Sequence, residues 1–351
     1  MEVLAAVCFA AGAADYLTGS RLNLGQAFYK GISSIPELLL LMAGFMALTP
    51  WIGANLFPPL NPIFDSLGCD PSLLAGILLS CDTGGAVLGR EVAASPEAGI
   101  YGGMIVSSLM GCTISCTIPL ILTNTRHKKE EAIQGLLMGC CAVPFASLLT
   151  GFLCRIPAAI LFYNTWPLLL LAAALFVLFL AAKAQAGAVF AAAAFLVRAT
   201  ALFGLSAAFF QESAGVILLD GLTPLNEILP VICRIGLFLG GILPFFHMAQ
   251  RILAIPLAKC ARLLGIGPDS MSCLILALGN SIPVLMNLDE LEPEGVTMNA
   301  AFAAVAAFAV GDHLAFAMQF APEISIPLMA GKVLSGITVL VLCRLLALRR
   351  S

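Results

Sequence analysis

The sequence predicts an all-α polytopic membrane protein, with about nine full transmembrane helices and two re-entrant hairpins arranged in inverted structural repeats. Three observations lead there. The 351 residues are 60% hydrophobic and only 11% charged, with a mean hydropathy of +1.02, whereas a soluble domain carries roughly 25% charged residues. Apolar runs of about 20 residues, enough to cross a bilayer, recur along the whole chain. Two further apolar stretches are broken midway by polar and helix-breaking residues.

The first run, 3–18, has no basic n-region and carries Glu2 and Asp15. It therefore reads as a retained span rather than a cleaved signal peptide. Full crossings are expected at 36–57, 98–123, 132–154, 165–183, 185–210, 230–250, 298–320 and 325–347. "NLFPPLNPIFDSLG" and "ILAIPLAKCARLLG" precede the two broken stretches and read as amphipathic segments lying at the interface. One membrane transport domain thus covers 1–351. Repeat one is 36–154 with hairpin 72–90, repeat two is 230–347 with hairpin 270–288, and 155–229 holds linking helices and an outer loop.

The broken stretches resemble each other. Each starts after a Pro with an Asp close by ("CDPSLL", "GPDSMS"), and each is interrupted, by "CDTGG" in one and "LGNSIP" in the other. An offset near 197 pairs Leu67 with Leu264, Gly68 with Gly265, Pro71 with Pro268 and Leu79 with Leu276, and sets Asp82 and Thr83 against Asn280 and Ser281. Interrupted segments at matching places in two halves point to a transporter's binding site. If both enter and leave on one side, with the "RHKK" loop at 126–129 inside, most of the 17 basic residues fall inside, including Arg21, Lys30, Lys259, Arg262, Arg349 and Arg350. The N-terminus is then outside and the C-terminus inside. The same arrangement gives the two repeats opposite orientation, which suits alternating access to a midplane site.

Asp82 carries the chemistry. An ionised Asp at the bilayer centre costs on the order of 2.5–3.5 kcal/mol, so it must face protein, water or a cation. Gly84 and Gly85 let the backbone unwind and leave carbonyls free for a cation or hydroxyl. Thr83, Asn280 and Ser281 supply neutral donors and acceptors. The set suits a small, polar, cationic solute. The plainer reading has Asp82 pair with Lys332, which lies mid-span in "LMAGKVLSG"; the two readings are compatible in different states of a carrier. Asp312 and His313 form a second cluster that could orient substrate, move protons or serve as a polar structural pair.

Other chemistries find little support. No metal site is expected, because no ligand-type residue stands one helical turn from Asp312 or His313. The twelve cysteines form no CxxC and suit helix contacts. There is no nucleotide loop, GxSxG or HExxH, which argues against a pump or a hydrolase. Cys81 with His313 is the sole nucleophile–base pair open to a membrane enzyme. No cofactor and no nucleic acid is implied; membrane lipid is, and a homo-oligomer stays open.

"LGCDPSLLAGILLSCDTGG", "GNSIP", "MNAAFAAVAAFAVGDHLAF" and "AGKVLSG" together resemble the ethanolamine utilisation permease family, the EutH type, along most of the chain. That resemblance implies a carrier in the bacterial cytoplasmic (inner) membrane that brings in ethanolamine for cleavage by an ammonia-lyase housed in a microcompartment. Two departures stand out: a chain shorter than is usual, and Ser281 where a second Asn is expected. Protonated ethanolamine offers an ammonium for a carboxylate and a hydroxyl for Thr83 or Asn280. A coupled symporter for another small amine or amino acid, and a channel for a small polar solute, share these features.

Overall fold

The computed structural model describes residues 2–181 and 183–348, so Arg349 and Arg350, placed inside by the charge reading, lie outside the described residues. Among the described residues every regular element is helical. Among the described residues five helices are long and apolar enough to cross a membrane: Pro96–Asn124, Lys129–Leu153, Ala158–Phe179, Leu225–Ala249 and Pro322–Leu348. A sixth is added if Pro256–Leu264 and Pro268–Gly279, bent by 110° at a short break, act as one. The opening helix Glu2–Leu17 has 16 residues, about 24 Å of rise against a hydrocarbon core of about 30 Å. Phe162, Leu170, Val177, Ile337 and Leu342 are exposed on the outer helices, as a surface solvated by lipid requires.

Both broken stretches fold as helix, break, helix. The first runs Ser72–Leu78, then extended Leu79 and Ser80, a turn at Cys81–Gly85, and Ala86–Val92. Gly84 makes the turn at φ 111°, and a Cβ there would lie 2.5 Å from Cβ of Phe45, so both the backbone and the space demand glycine. The second runs Pro268–Gly279, an extended Asn280 and Ile282–Met286. A carboxylate ties the base of each. Asp70 accepts from the backbone N–H of Ser72 (2.9 Å) and of Ala94 (3.0 Å); Glu292 accepts from the N–H of Gly267 (2.6 Å) and from Ser270 Oγ (2.8 Å). Each stretch therefore returns to where it began. The first arm of the first hairpin stops at Leu78, whereas its counterpart continues to Gly279.

One expected crossing is interrupted. The run 298–320 ends a helix at Ala306 and begins another at Asp312. Between them the N–H groups of Phe308 and Val310 bond the carbonyls of Ala277 and Leu278, both at 2.9 Å. This strand-like pairing satisfies backbone groups that unwinding would otherwise strand in an apolar interior. Phe308 sits at φ 59°, a conformation that costs a bulky residue about 1–3 kcal/mol and tends to cluster at functional sites. Gly311 passes so close to the second hairpin that a Cβ would lie 1.8 Å from the Gly279 carbonyl oxygen.

Around this centre, Pro96–Asn124 is wound wide, with π-helical turns at Ile100–Gly111 and Thr113–Thr117. Lys129–Leu153 crosses Pro293–Ala306 at Gly135 and Gly139, where added Cβ atoms would meet Thr297 and Ala301 carbonyl oxygens, a small-xxx-small contact. Thr113 Oγ1 donates across to the Ala304 carbonyl at 2.8 Å. At one end Asp289 accepts from the N–H groups of Arg126, His127 and Lys128. Partial burial alone would raise the Asp289 pKa, but these backbone donors outweigh it and hold the carboxyl below its usual range.

Candidate functional site

The site is assembled at the tip of the first hairpin. Extended Ser80 and the Cys81–Gly85 turn end one short helix and turn Asp82 inward. The Asp82 side chain is 16% exposed, and its Oδ1 is buried without a hydrogen-bond partner. Facing it is His313, carried in by the helix Asp312–Phe320 that starts just after the unwound segment. His313 Nε2 lies 4.0 Å from Asp82 Oδ1 and 3.2 Å from Ser80 Oγ. On its other side, Nδ1 lies 2.8 Å from Lys332 Nζ. Lys332 also donates to the carbonyl oxygen of Ser108, within the wide helix. His313 and Lys332 are each only 1% exposed. A line of ionisable groups, Lys332 to His313 to Asp82, therefore crosses the protein centre.

This geometry revises the simple pairing of Asp82 with Lys332. No ion pair joins them among the described residues; His313 stands between, and Lys332 discharges its hydrogen-bonding needs on His313 and Ser108. The charge that a buried ammonium needs matched is met by a carbonyl dipole and an imidazole. The Asp82 oxygen is left for something else.

Thr83 Oγ1 donates to the Ser80 carbonyl (3.2 Å), which also accepts from the N–H of Thr83 and of Gly85. That carbonyl is therefore occupied by the turn itself. Gly84 and Gly85 shape the turn and pack closely, Gly85 against Ser107 and Leu79. Asn280 Oδ1 accepts from the N–H of Ile282 (2.9 Å), closing its own turn, while Ser281 Oγ is buried with no partner. No hydrogen bond joins Asn280 or Ser281 to Asp82 or Thr83 among the described residues. Asp312 is half-buried at the first residue of its helix, and its neighbour His313 is the one that enters the line.

Ser80 and Ser108 went unnoticed in the sequence, and Cys81 was read there only as a helix-contact thiol or as half of a nucleophile–base pair. Ser107 and Ser108 do stand out as a polar pair inside the apolar run 98–123. Cys81, fully buried, joins Asp82 and His313 in a group whose ligand atoms all lie within 4.8 Å of one another. Helical spacing from Asp312 and His313 could not reveal such a group, because its members come from distant segments. A cavity of about 340 Å³ beside the first hairpin is lined by Phe45, Leu79, Leu88 and Ile114, among other apolar groups, and suits no cation.

The comparisons with known proteins agree in direction. The profile of a family described as "Ethanolamine utilisation protein, EutH" matches residues 1–346. "Probable ethanolamine permease EutH" of Listeria monocytogenes serotype 1/2a (strain 10403S) is 32% identical over 332 residues, 93% of this chain and 88% of that one. The protein of the same name from Escherichia coli (strain K12) is 30% identical over 342 residues, 90% and 83% of the two chains. "Uncharacterized protein YxeR" of Bacillus subtilis (strain 168) is 30% identical over 331 residues, 93% and 89%. No solved structure matches. A profile match over nearly every residue, with identities of this size across the chain, places the protein in the EutH family of ethanolamine utilisation proteins.

Proposed function

We propose that the protein is an inner-membrane carrier that takes up protonated ethanolamine by facilitated diffusion with alternating access and so feeds its catabolism. The observation that carries this reading is Asp82 Oδ1, a buried carboxylate oxygen at a broken helix with no donor of its own. Such an atom is costly unless something donates to it, and an alkylammonium is a matching donor. Ser281 Oγ, likewise buried and unpartnered, is the corresponding candidate for the substrate hydroxyl once the two hairpin tips approach. Relatives named as probable ethanolamine permeases support the substrate.

In this reading the two stretches tied at their bases by Asp70 and Glu292 are re-entrant hairpins of inverted repeats, and about nine segments cross. Ethanolamine counterflow into proteoliposomes at mildly acidic pH tests it. Labelled ethanolamine should exchange, and ethylammonium, which leaves the hydroxyl partner unsatisfied, should compete poorly. Absence of exchange in the intact protein would sink the carrier reading. The Lys332–His313–Asp82 line favours a second reading, proton-coupled symport; accumulation abolished by collapsing the proton gradient would select it.

A further inference from the structure

We infer that Cys81, Asp82 and His313 bind a borderline-soft divalent cation, with Zn²⁺ as the best match, and that the bound ion pins the first hairpin tip to the helix Asp312–Phe320. Three features point there. The first is chemistry: one thiol, one carboxylate and one imidazole make the donor set that zinc takes, whereas calcium and magnesium want oxygen ligands alone. The second is geometry. The three ligand atoms lie within 4.8 Å of one another, His313 Nε2 and Asp82 Oδ1 being 4.0 Å apart. Ligands of tetrahedral zinc, with bonds of about 2.0–2.3 Å, sit about 3.3–3.6 Å from each other, so the groups close on an ion by shifts of about 1 Å or less. The third is the unpartnered Asp82 oxygen itself.

The surroundings complete the arrangement. A metal-ligating imidazole ordinarily has its second nitrogen held by another group. Here Lys332 Nζ stands 2.8 Å from Nδ1 and fixes the ring so that its Nε2 edge faces Asp82. Cys81 and His313 are sealed, while the partial exposure of Asp82 leaves an edge for entry. Because Cys81 and Asp82 lie on one hairpin and His313 on a segment that follows the other, a shared ion cross-links parts that alternating access must separate. Zinc is thus an inhibitor by bridging. This consequence rests on the carrier reading; the binding itself does not.

The experiment uses the full chain with exposed Cys233 and Cys260 changed to Ser, so that surface thiols do not contribute. Zn²⁺ is titrated against a fluorescent chelator in detergent, and ethanolamine counterflow is measured with and without Zn²⁺. One zinc per chain is expected. Cys81→Ser and Cys81→Ala should each weaken binding at least about tenfold, and the ratio of exchange with and without Zn²⁺, read within each variant, should move toward one in parallel. Cys112→Ser should bind as its parent does. No bound zinc in the parent, or undiminished binding in both Cys81 variants, overturns the inference. If the protein exchanges no ethanolamine even without zinc, the carrier reading fails while the titration still decides the site.

Discussion

Replacing Asp82 with Asn keeps the side chain's shape and removes its charge. A substrate ammonium about 4 Å from a carboxylate gains roughly 4 kcal/mol at an effective dielectric of 20 before desolvation. A hydrogen bond to a charged group retains about 1.5–3 kcal/mol of net value. At about 1.4 kcal/mol per tenfold, half-saturation for ethanolamine should rise by about 10- to 150-fold. The empty protein should respond in the opposite sense. Oδ1 has no hydrogen-bond partner and the nearest cationic candidate is His313 Nε2 at 4.0 Å, so removing the charge relieves a burial cost and leaves thermal stability unchanged or raised. Counterflow at graded ethanolamine concentrations reads the first effect, and thermal unfolding in detergent reads the second. Half-saturation within about twofold of the parent would refute the cation role. A fall of more than about 1 kcal/mol in stability would show that Asp82 is bonded structurally, against the geometry.

Other consequences can be checked separately. Gly311→Ala places a Cβ 1.8 Å from the Gly279 carbonyl oxygen and should cost about 1–3 kcal/mol as overpacking, seen as a lowered unfolding midpoint; an unchanged midpoint would mean that the 308–310 pairing with the second hairpin is loose. The Asp289 pKa lies below its unfolded value, so its contribution to stability is present above about pH 4 and fades as pH falls through the lower, folded value. Asp289→Asn should therefore lower the unfolding midpoint at pH 7, with the gap closing under strong acid. Tyr101 is buried with its hydroxyl 2.6 Å from Thr165 Oγ1, and Tyr101→Phe should cost about 1 kcal/mol in unfolding without altering substrate affinity.

Asp82 was legible because a carboxylate inside "LLSCDTGG" violates the rule of its surroundings, and violations of that kind tend to be functional. Lys332 and His313 were legible for the same reason. Their order was not. Which of two carboxylates and one ammonium pair up depends on side-chain direction, and periodicity carries no such information between segments 233 positions apart. The break at 307–311 also escaped, because "AAFAVGD" is as apolar as a helix interior; its backbone leaves the helix only because the Ala277 and Leu278 carbonyls offer replacement partners.

Composition and hydropathy by themselves determined an all-helical membrane chain, since transfer free energies sum along the chain with little regard to neighbours. The two interrupted stretches were determined as well, since Gly, Pro and Asn act locally. Only the tertiary structure decided that His313 separates Lys332 from Asp82 and that Cys81 joins them. Those distances arise where several helices pack together, and a contact between remote residues costs the same sequence whether it forms or not.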